Sequence, residues 1–287
     1  MCLKGRDCVI AELPLLSLNT NMMAVTARRY WMTTEVVLQT TTARLSSGLR
    51  INSARDDPAG LAISERLLAQ IRGTDVAVRN ANDGISRAQV GEGAAGSVVS
   101  TLQRMKELAV QASNGTLTGA DRDLLEVEFD QLQAEVTDLV SNTAYGGVSL
   151  LDNADSAAFQ VGPNAGQTLS MTNTDLSGLV ANLAGLFLAD GTGAQATAAN
   201  AALDAELETA TSAQASWGAM QSRFDSVVSN LQSSSIALTA SRGRIMDADI
   251  ALETANRSRL LVLQESAIAM LAQANARPQT VLSLLLG

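Results

Sequence analysis

Along most of this chain, apolar residues recur at alternating steps of four and three. The longest run reads Leu203, Leu207, Ala210, Gln214, Trp217, Gln221, Phe224, Val228, Leu231, Ser235, Leu238, Arg242 and Ile245, and nine of these thirteen positions are apolar. Such spacing keeps one face of an α-helix against a partner helix over many turns, and it predicts a coiled-coil-like helix. At 1.5 Å per residue, 43 residues span about 64 Å. A second run, Leu67, Ile71, Thr74, Val78, Ala81, Ile85 and Ala88, slips at residues 91–96 and resumes with Ala95, Val99, Leu102, Met105, Ala109 and Ala112. The glycines in the slip are expected to stay helical, since small residues let helices approach closely, although each costs about 1 kcal/mol relative to alanine. Asp57 followed by Pro58 marks the start of this helix, and Ser113-Asn114-Gly115 marks its end. A third helix is expected over about 120–140 on Leu125, Phe129, Leu132, Val136 and Leu139, with Thr118 and Asp121 spaced as a capping box.

Between the periodic runs the pattern changes. Tyr145-Gly146-Gly147, Asp152-Asn153 and Gly162-Pro163-Asn164-Ala165-Gly166 are turn signals, and short alternating pieces at 148–151, 158–161 and 168–171 predict one or two β-hairpins. Residues 176–202 read as a loop with one helical turn near 179–188. At the ends, a Thr-rich helix is expected over about 20–45, and a helix over 250–276 carries an apolar face too broad for a two-stranded seam. Pro278 should end that helix, leaving 281–286 as an apolar tail. Exposed surfaces of this kind require cover. Leu260, Leu263, Ile268, Leu271, Val281 and Leu284 are therefore expected to pack between subunits.

Composition sharpens this picture by subtraction. The 287 residues include no histidine, 3% aromatics and 46 alanines. The commonest hydrolytic, zinc and near-neutral acid–base designs lose their usual residue, and no stacking platform for nucleic acid is apparent. A net charge of −9 disfavours nucleic acid and anionic membrane surfaces. Cys2 and Cys8 are the two cysteines and form no metal-ligand spacing. No cleaved signal peptide and no membrane insertion are expected. No catalytic, cofactor-binding or metal-binding residues are assigned, and an enzyme is not expected. Asp56-Asp57 reads as a capped turn, not as a paired-carboxylate site. Asn82-Asp83-Gly84 would ordinarily be a hairpin turn, but it lies inside a heptad run and reads as helix with polar contacts to neighbouring helices or subunits. Asp247 and Asp249 read as caps at a joint between two helical segments. Trp217 and Phe224 read as core.

Several of these stretches resemble bacterial flagellin. The likeness runs through Leu18-Asn19-Thr20-Asn21, residues 43–60, Asn80-Ala81-Asn82-Asp83-Gly84-Ile85-Ser86, residues 102–111 and the hairpin 159–168. It continues in Arg244-Ile245-Met246-Asp247-Ala248-Asp249, Ala272-Gln273-Ala274-Asn275 and the closing 278–285. It covers roughly residues 17–287. Residues 1–15 have no counterpart in the family pattern, the Arg28-Arg29-Tyr30-Trp31 cluster is bulkier than the family leads one to expect, and the middle, 155–200, lacks the large outer domains of longer members.

The resemblance implies a mainly α fold, an elongated antiparallel helical bundle or coiled coil with a small β-hairpin region and discontinuous domains formed by both chain ends. Residues 1–15 would be an unmatched extension. Residues 16–56 and 246–287 would form an inner coiled-coil polymerisation domain. Residues 57–145 and 200–245 would form a helical bundle domain, and 146–199 a hairpin and variable loop region. The implied function is self-assembly into the helical flagellar filament for motility, by head-to-tail contact that does not close. The implied partners are further copies of the chain, an export chaperone, a cap protein, hook-junction proteins and the Toll-like flagellin receptor. The implied location is the flagellum, outside the cell, reached through the flagellar export channel. Gln103, Arg104, Leu108 and Glu128 match the positions that receptor recognises. The alternatives are a flagellin-like surface protein that binds polysaccharide or host surfaces, and a hook–filament junction protein.

Overall fold

The computed structural model describes residues 20–190 and 192–286, the side chains of 279–286 excepted, so Cys2, Cys8 and the expected extension lie outside the described residues. The elements follow in order: α1 (Met22–Ser47), α2 (Pro58–Ala112), α3 (Gly119–Asn142), β1 (Ala144–Tyr145), β2 (Val148–Ser149), β3 (Ser156–Gln160), β4 (Thr168–Thr172), α4 (Ser177–Leu183), α5 (Ala194–Met246) and α6 (Ile250–Leu286). The chain divides into two compact units: residues 1–65 with 241–287, and residues 66–240. The hairpin segment falls within the second unit.

The second unit is an antiparallel helical bundle capped by hairpins. Along α2 and α5, neighbouring pairs step in opposite directions. Lys106 forms an ion pair with Asp204, an added Cβ on Gly91 would meet the Trp217 ring and one on Gly84 the Phe224 ring, and the Ser235 hydroxyl lies 3.4 Å from Asp75. All thirteen positions of the 203–245 stripe are buried or half-buried, with Leu203, Ala210, Trp217, Phe224 and Leu231 deepest at seven-residue intervals. α2 stays helical through its glycines because two of them are the sockets. A Cβ at Gly84 would lie 2.6 Å from Phe224 Cζ, and one at Gly91 2.7 Å from Trp217 Cε2. Phe129, Val136 and Val140 of α3 close the core.

The Thr118–Asp121 capping box is formed in full. The end of α2 is closed differently from the usual glycine cap. Buried Arg122 donates from Nε to the Ala112 carbonyl at 2.8 Å and from Nη2 to that of Asn114 at 3.2 Å. A cation at a helix C-terminus meets the negative end of the helix dipole while satisfying orphan carbonyls.

β1 and β2 pair antiparallel through Gly146 and Gly147, both at positive φ, as a two-residue hairpin demands. β3 and β4 pair from Ser156↔Thr172 to Gln160↔Thr168. β4 alternates, burying Leu169 and Met171, and Phe159 of β3 meets Phe224 edge-to-face at 5.4 Å. Arg87 of α2 reaches the hairpins from inside. Its Nη2 donates to Asn173 at 2.8 Å, and Asn173 in turn donates to Ser149 O and Asn153 Oδ1. Burial pushes the Arg87 guanidinium below its ordinary pKa, with Asp155 opposing.

Two expected boundaries are corrected. α5 begins at Ala194, inside the segment expected to be a loop. The four-three spacing in fact extends backward through Ala199 and Ala196, both buried, while Asp190 receives the backbone N–H groups of Thr192, Gly193 and Gln195 ahead of the helix. Those bonds hold the Asp190 carboxyl far below the usual range. Pro278 does not end α6, which runs through it to Leu286.

Candidate assembly surface

The first unit rests on an antiparallel two-helix seam. α1 turns Ala24, Ala27, Trp31, Thr34, Leu38, Thr41 and Leu45 inward, at strict three-four steps. α6 answers with Glu253, Asn256, Leu260, Gln264, Ala267, Leu271 and Ala274. Polar contacts fix the register. Arg44 pairs with the buried Glu253 at 3.2 Å, Gln264 donates to Glu35 at 2.6 Å, and Asn21 donates to the Ala274 carbonyl at 2.7 Å. Charges and amides at seam positions select one alignment over slipped ones.

Where α5 gives way to α6, the chain forms an isolated antiparallel bridge between Leu49 and Asp247. Arg50 N donates to Met246 O at 2.6 Å, and Ala248 N to Gly48 O at 2.9 Å. Gly48, at φ 71°, ends α1 with its N–H on Arg44 O. Asp249 caps α6, accepting from Leu252 N at 3.0 Å. Asp57 caps α2 through Gly60 N at 2.9 Å. Asp56 accepts from Asn52 N, Ser53 N and Ser53 Oγ at 3.0–3.1 Å, and these bonds, the Ser53 hydroxyl first, hold its carboxyl below the usual range. Asp249, Asp57 and Asp56 thus serve as caps and a turn.

The seam uses one narrow face of each helix and leaves large apolar side chains outside it. On α1 these are Met22, Met23, Val25, Tyr30, Met32, Val36 and Val37; on α6 they are Ile250, Leu252, Leu261, Val262, Leu263, Ile268 and Met270. Of the residues expected to pack between subunits, Leu263 and Ile268 stand on this outer face. Leu260 does not. It is buried in the seam, because it falls on the three-four spacing that α1 covers. Leu271 is half-buried in the same seam. The side chains of Val281 and Leu284 lie outside the described residues.

In the second unit, Arg104 and Glu128 do meet. Arg104 Nε and Nη2 both donate to Glu128 Oε1, at 2.9 and 2.6 Å, and Nη1 donates to Glu107 at 3.0 Å. The two carboxylates, Glu128 first, raise the Arg104 pKa. Gln103 is exposed beside them. Leu108, expected as an apolar contact on that face, is instead buried, since it joins the core run Leu102, Met105, Leu108, Ala109 and Ala112. The Asn82 amide, expected to contact neighbours, bonds to its own helix at Val78 O, 2.9 Å away. Arg87, Asn173 and Arg122 were missed from the sequence, because their partners are backbone and amide groups from distant segments.

Known proteins match along nearly the whole of the described chain. Residues 18–156 match the bacterial flagellin N-terminal helical region, and residues 201–285 the bacterial flagellin C-terminal helical region. The flagellin of Halalkalibacterium halodurans is 44% identical over 93% of this chain and 99% of its own. The flagellin of Bacillus subtilis is 36% identical over 93% and 99%, and flagellin B of Vibrio cholerae 32% over 94% and 99%. In fold, a flagellar hook-associated protein from Vibrio parahaemolyticus is similar with a TM-score of 0.56, at 16% identity, over 67% of this chain and all of that one.

Proposed function

From the premise that the chain belongs to the bacterial flagellin family, we propose that it polymerises through the outer face of the α1–α6 pair. Membership makes it a structural subunit of the flagellar filament, not an enzyme, and places it outside the cell. The observation that carries the finer reading is the set of exposed apolar side chains on α1 and α6, including Leu263 and Ile268. Soluble monomers rarely leave so many on two adjacent helices. At about 1.5–3 kcal/mol for each side chain fully buried, covering a third to a half of them supplies on the order of 10 kcal/mol toward association. Every copy carries the face, and if it docks on a different surface of the next copy, the contact repeats as an open helix.

The further partners follow the same reading: an export chaperone that shields the apolar C-terminal segment, passage through the flagellar export channel, and cap and hook-junction proteins at the filament ends. The exposed Gln103 and Arg104, with the half-buried Glu128 paired to Arg104, support a second role, as the patch a Toll-like receptor reads on free subunits, with Arg104 as anchor. The buried Leu108 would act there by positioning Arg104 one turn away, not by contact. Loss of receptor binding in Arg104→Ala tests that role, and unchanged binding removes it.

Seeding purified chain with filament fragments, followed by electron microscopy, tests the main reading. Long filaments are expected. Persistent monomers with saturable glycan binding would favour a surface-binding protein instead.

A further inference from the structure

Pro278 sits inside α6, where a proline has no N–H to give the carbonyl four residues back. That carbonyl belongs to Ala274, a buried residue. It is the same carbonyl that receives the Asn21 side-chain amide from α1, at 2.7 Å. The other end of the Asn21 amide is also engaged, with Oδ1 accepting from Ala24 N at 3.1 Å and capping α1. Beside this pair, Arg277 Nη1 approaches Met23 Sδ at 3.1 Å.

We propose that Asn21 is a positioning residue for assembly: a latch that reads the carbonyl opened by Pro278 and so couples the start of α1 to the end of α6. An amide is the side chain that fits, because it must accept at one atom and donate at another. A helix start needs only an acceptor, which Ser, Thr or Asp would supply as well. The donor half has no capping purpose. It meets the carbonyl that a proline at 278 leaves without its helical N–H. The side chain that caps α1 is therefore the one that satisfies α6, so the Asn21 amide N–H and the Ala274 carbonyl are both bonded when the start of α1 lies against residues 274–278. The outer apolar faces of the two helices are then presented together, as the polymerisation proposed above requires, and the latch rests on that reading.

The test is a double-mutant cycle in the full chain, with the critical concentration for seeded filament growth as readout. Asn21→Ser keeps the capping oxygen but is too short to reach Ala274. Pro278→Ala restores an N–H to the Ala274 carbonyl. Losing one net hydrogen bond should raise the critical concentration about fivefold in Asn21→Ser, and by less than twofold when Pro278→Ala is also present. Equal effects in the two backgrounds, or no effect of Asn21→Ser while Asn21→Ala weakens growth, would overturn the latch and leave a plain cap. If wild-type chain grows no filaments, the polymerisation reading fails on its own. The latch is then decided by amide hydrogen exchange in the soluble chain. Exchange about fivefold faster in the first turn of α1 and around 274–278 is expected for Asn21→Ser, and unchanged exchange overturns it.

Discussion

The α1–α6 seam and the α2–α5 interface are written in the same four-three spacing, and they end with opposite surfaces. Between α2 and α5 large rings fill inward positions, Trp217 and Phe224 being set into Gly91 and Gly84 among buried alanines, and α3, α4 and the hairpins cover the flanks. Between α1 and α6 nine of the fourteen inward positions are small or polar, such as Ala24, Ala27, Thr34, Thr41, Gln264 and Ala267, with Trp31, Leu38, Leu45, Leu260 and Leu271 between them, while many further methionine, valine, leucine and isoleucine side chains face out. The bundle holds its own core. The paired ends hold a register and offer their apolar area to something else. Spacing alone tells a helix which face meets a partner; the size of the side chains on and off that face tells whether one partner is enough.

The sharpest way to break the contrast is at Trp217. Trp217→Ala should cost about 3–5 kcal/mol, since a large aromatic leaves a cavity that rigid glycine-lined helices cannot close. Urea unfolding followed by far-UV circular dichroism measures it, and a loss under about 1 kcal/mol would mean that the bundle core does not depend on that socket. In the paired ends, Leu260→Ala and Leu263→Ala should part company. The first empties a seam position and should cost about 2–3 kcal/mol. The second, on the outer face, should stay within about 0.5 kcal/mol before assembly. Hydrogen exchange of α1 and α6 amides in the unassembled chain separates them, and equal effects would erase the distinction between seam and outer face.

Smaller is the expected effect of Gly84→Ala. The added methyl meets the Phe224 ring at 2.6 Å, a clash of typically 1–3 kcal/mol, partly offset by about 1 kcal/mol of improved helix propensity. A net loss near 1 kcal/mol is expected in urea unfolding, and it should shrink when Phe224→Leu is made in the same chain. A gain in stability would mean that the ring can move aside. Smallest is the acid dependence of the turn before α2. The Asp56 carboxyl is held below the usual range by Ser53 and Asn52, so its contribution is complete above the ordinary carboxylate pKa and fades as pH falls through the lower folded-state value. Asp56→Asn should flatten that part of the acid-unfolding curve, and an unchanged curve would show that the turn does not titrate with folding.

Much of the fold could be read from the sequence because coiled-coil cores are periodic. All thirteen positions of the 203–245 stripe lie inward, and the Thr118–Asp121 cap, the Gly146-Gly147 turn and the joint near Asp247 and Asp249 appear where local chemistry puts them. What escaped depended on distant partners. Ala196 and Ala199 are too small to announce a helix until Leu203 and the bundle bury them. Pro278 reads as a stop until Asn21, 253 residues away from Ala274, supplies the missing donor. Leu108 and Leu260 carry the right residue type for a contact surface, but one step of helical phase turns each inward. The surface around Arg104 was traceable only through family likeness, since an exposed ion pair has no period.

The most direct test of polymerisation through the outer face is seeded filament growth by the double variant Leu263→Ser/Ile268→Ser, with far-UV circular dichroism of the same preparation. Two exposed apolar side chains are removed without touching the seam. The expected result is a critical concentration raised at least about tenfold, from apolar burial worth about 1.5–3 kcal/mol per side chain, with helix content unchanged. Filaments growing as readily as those of the unaltered chain would contradict it.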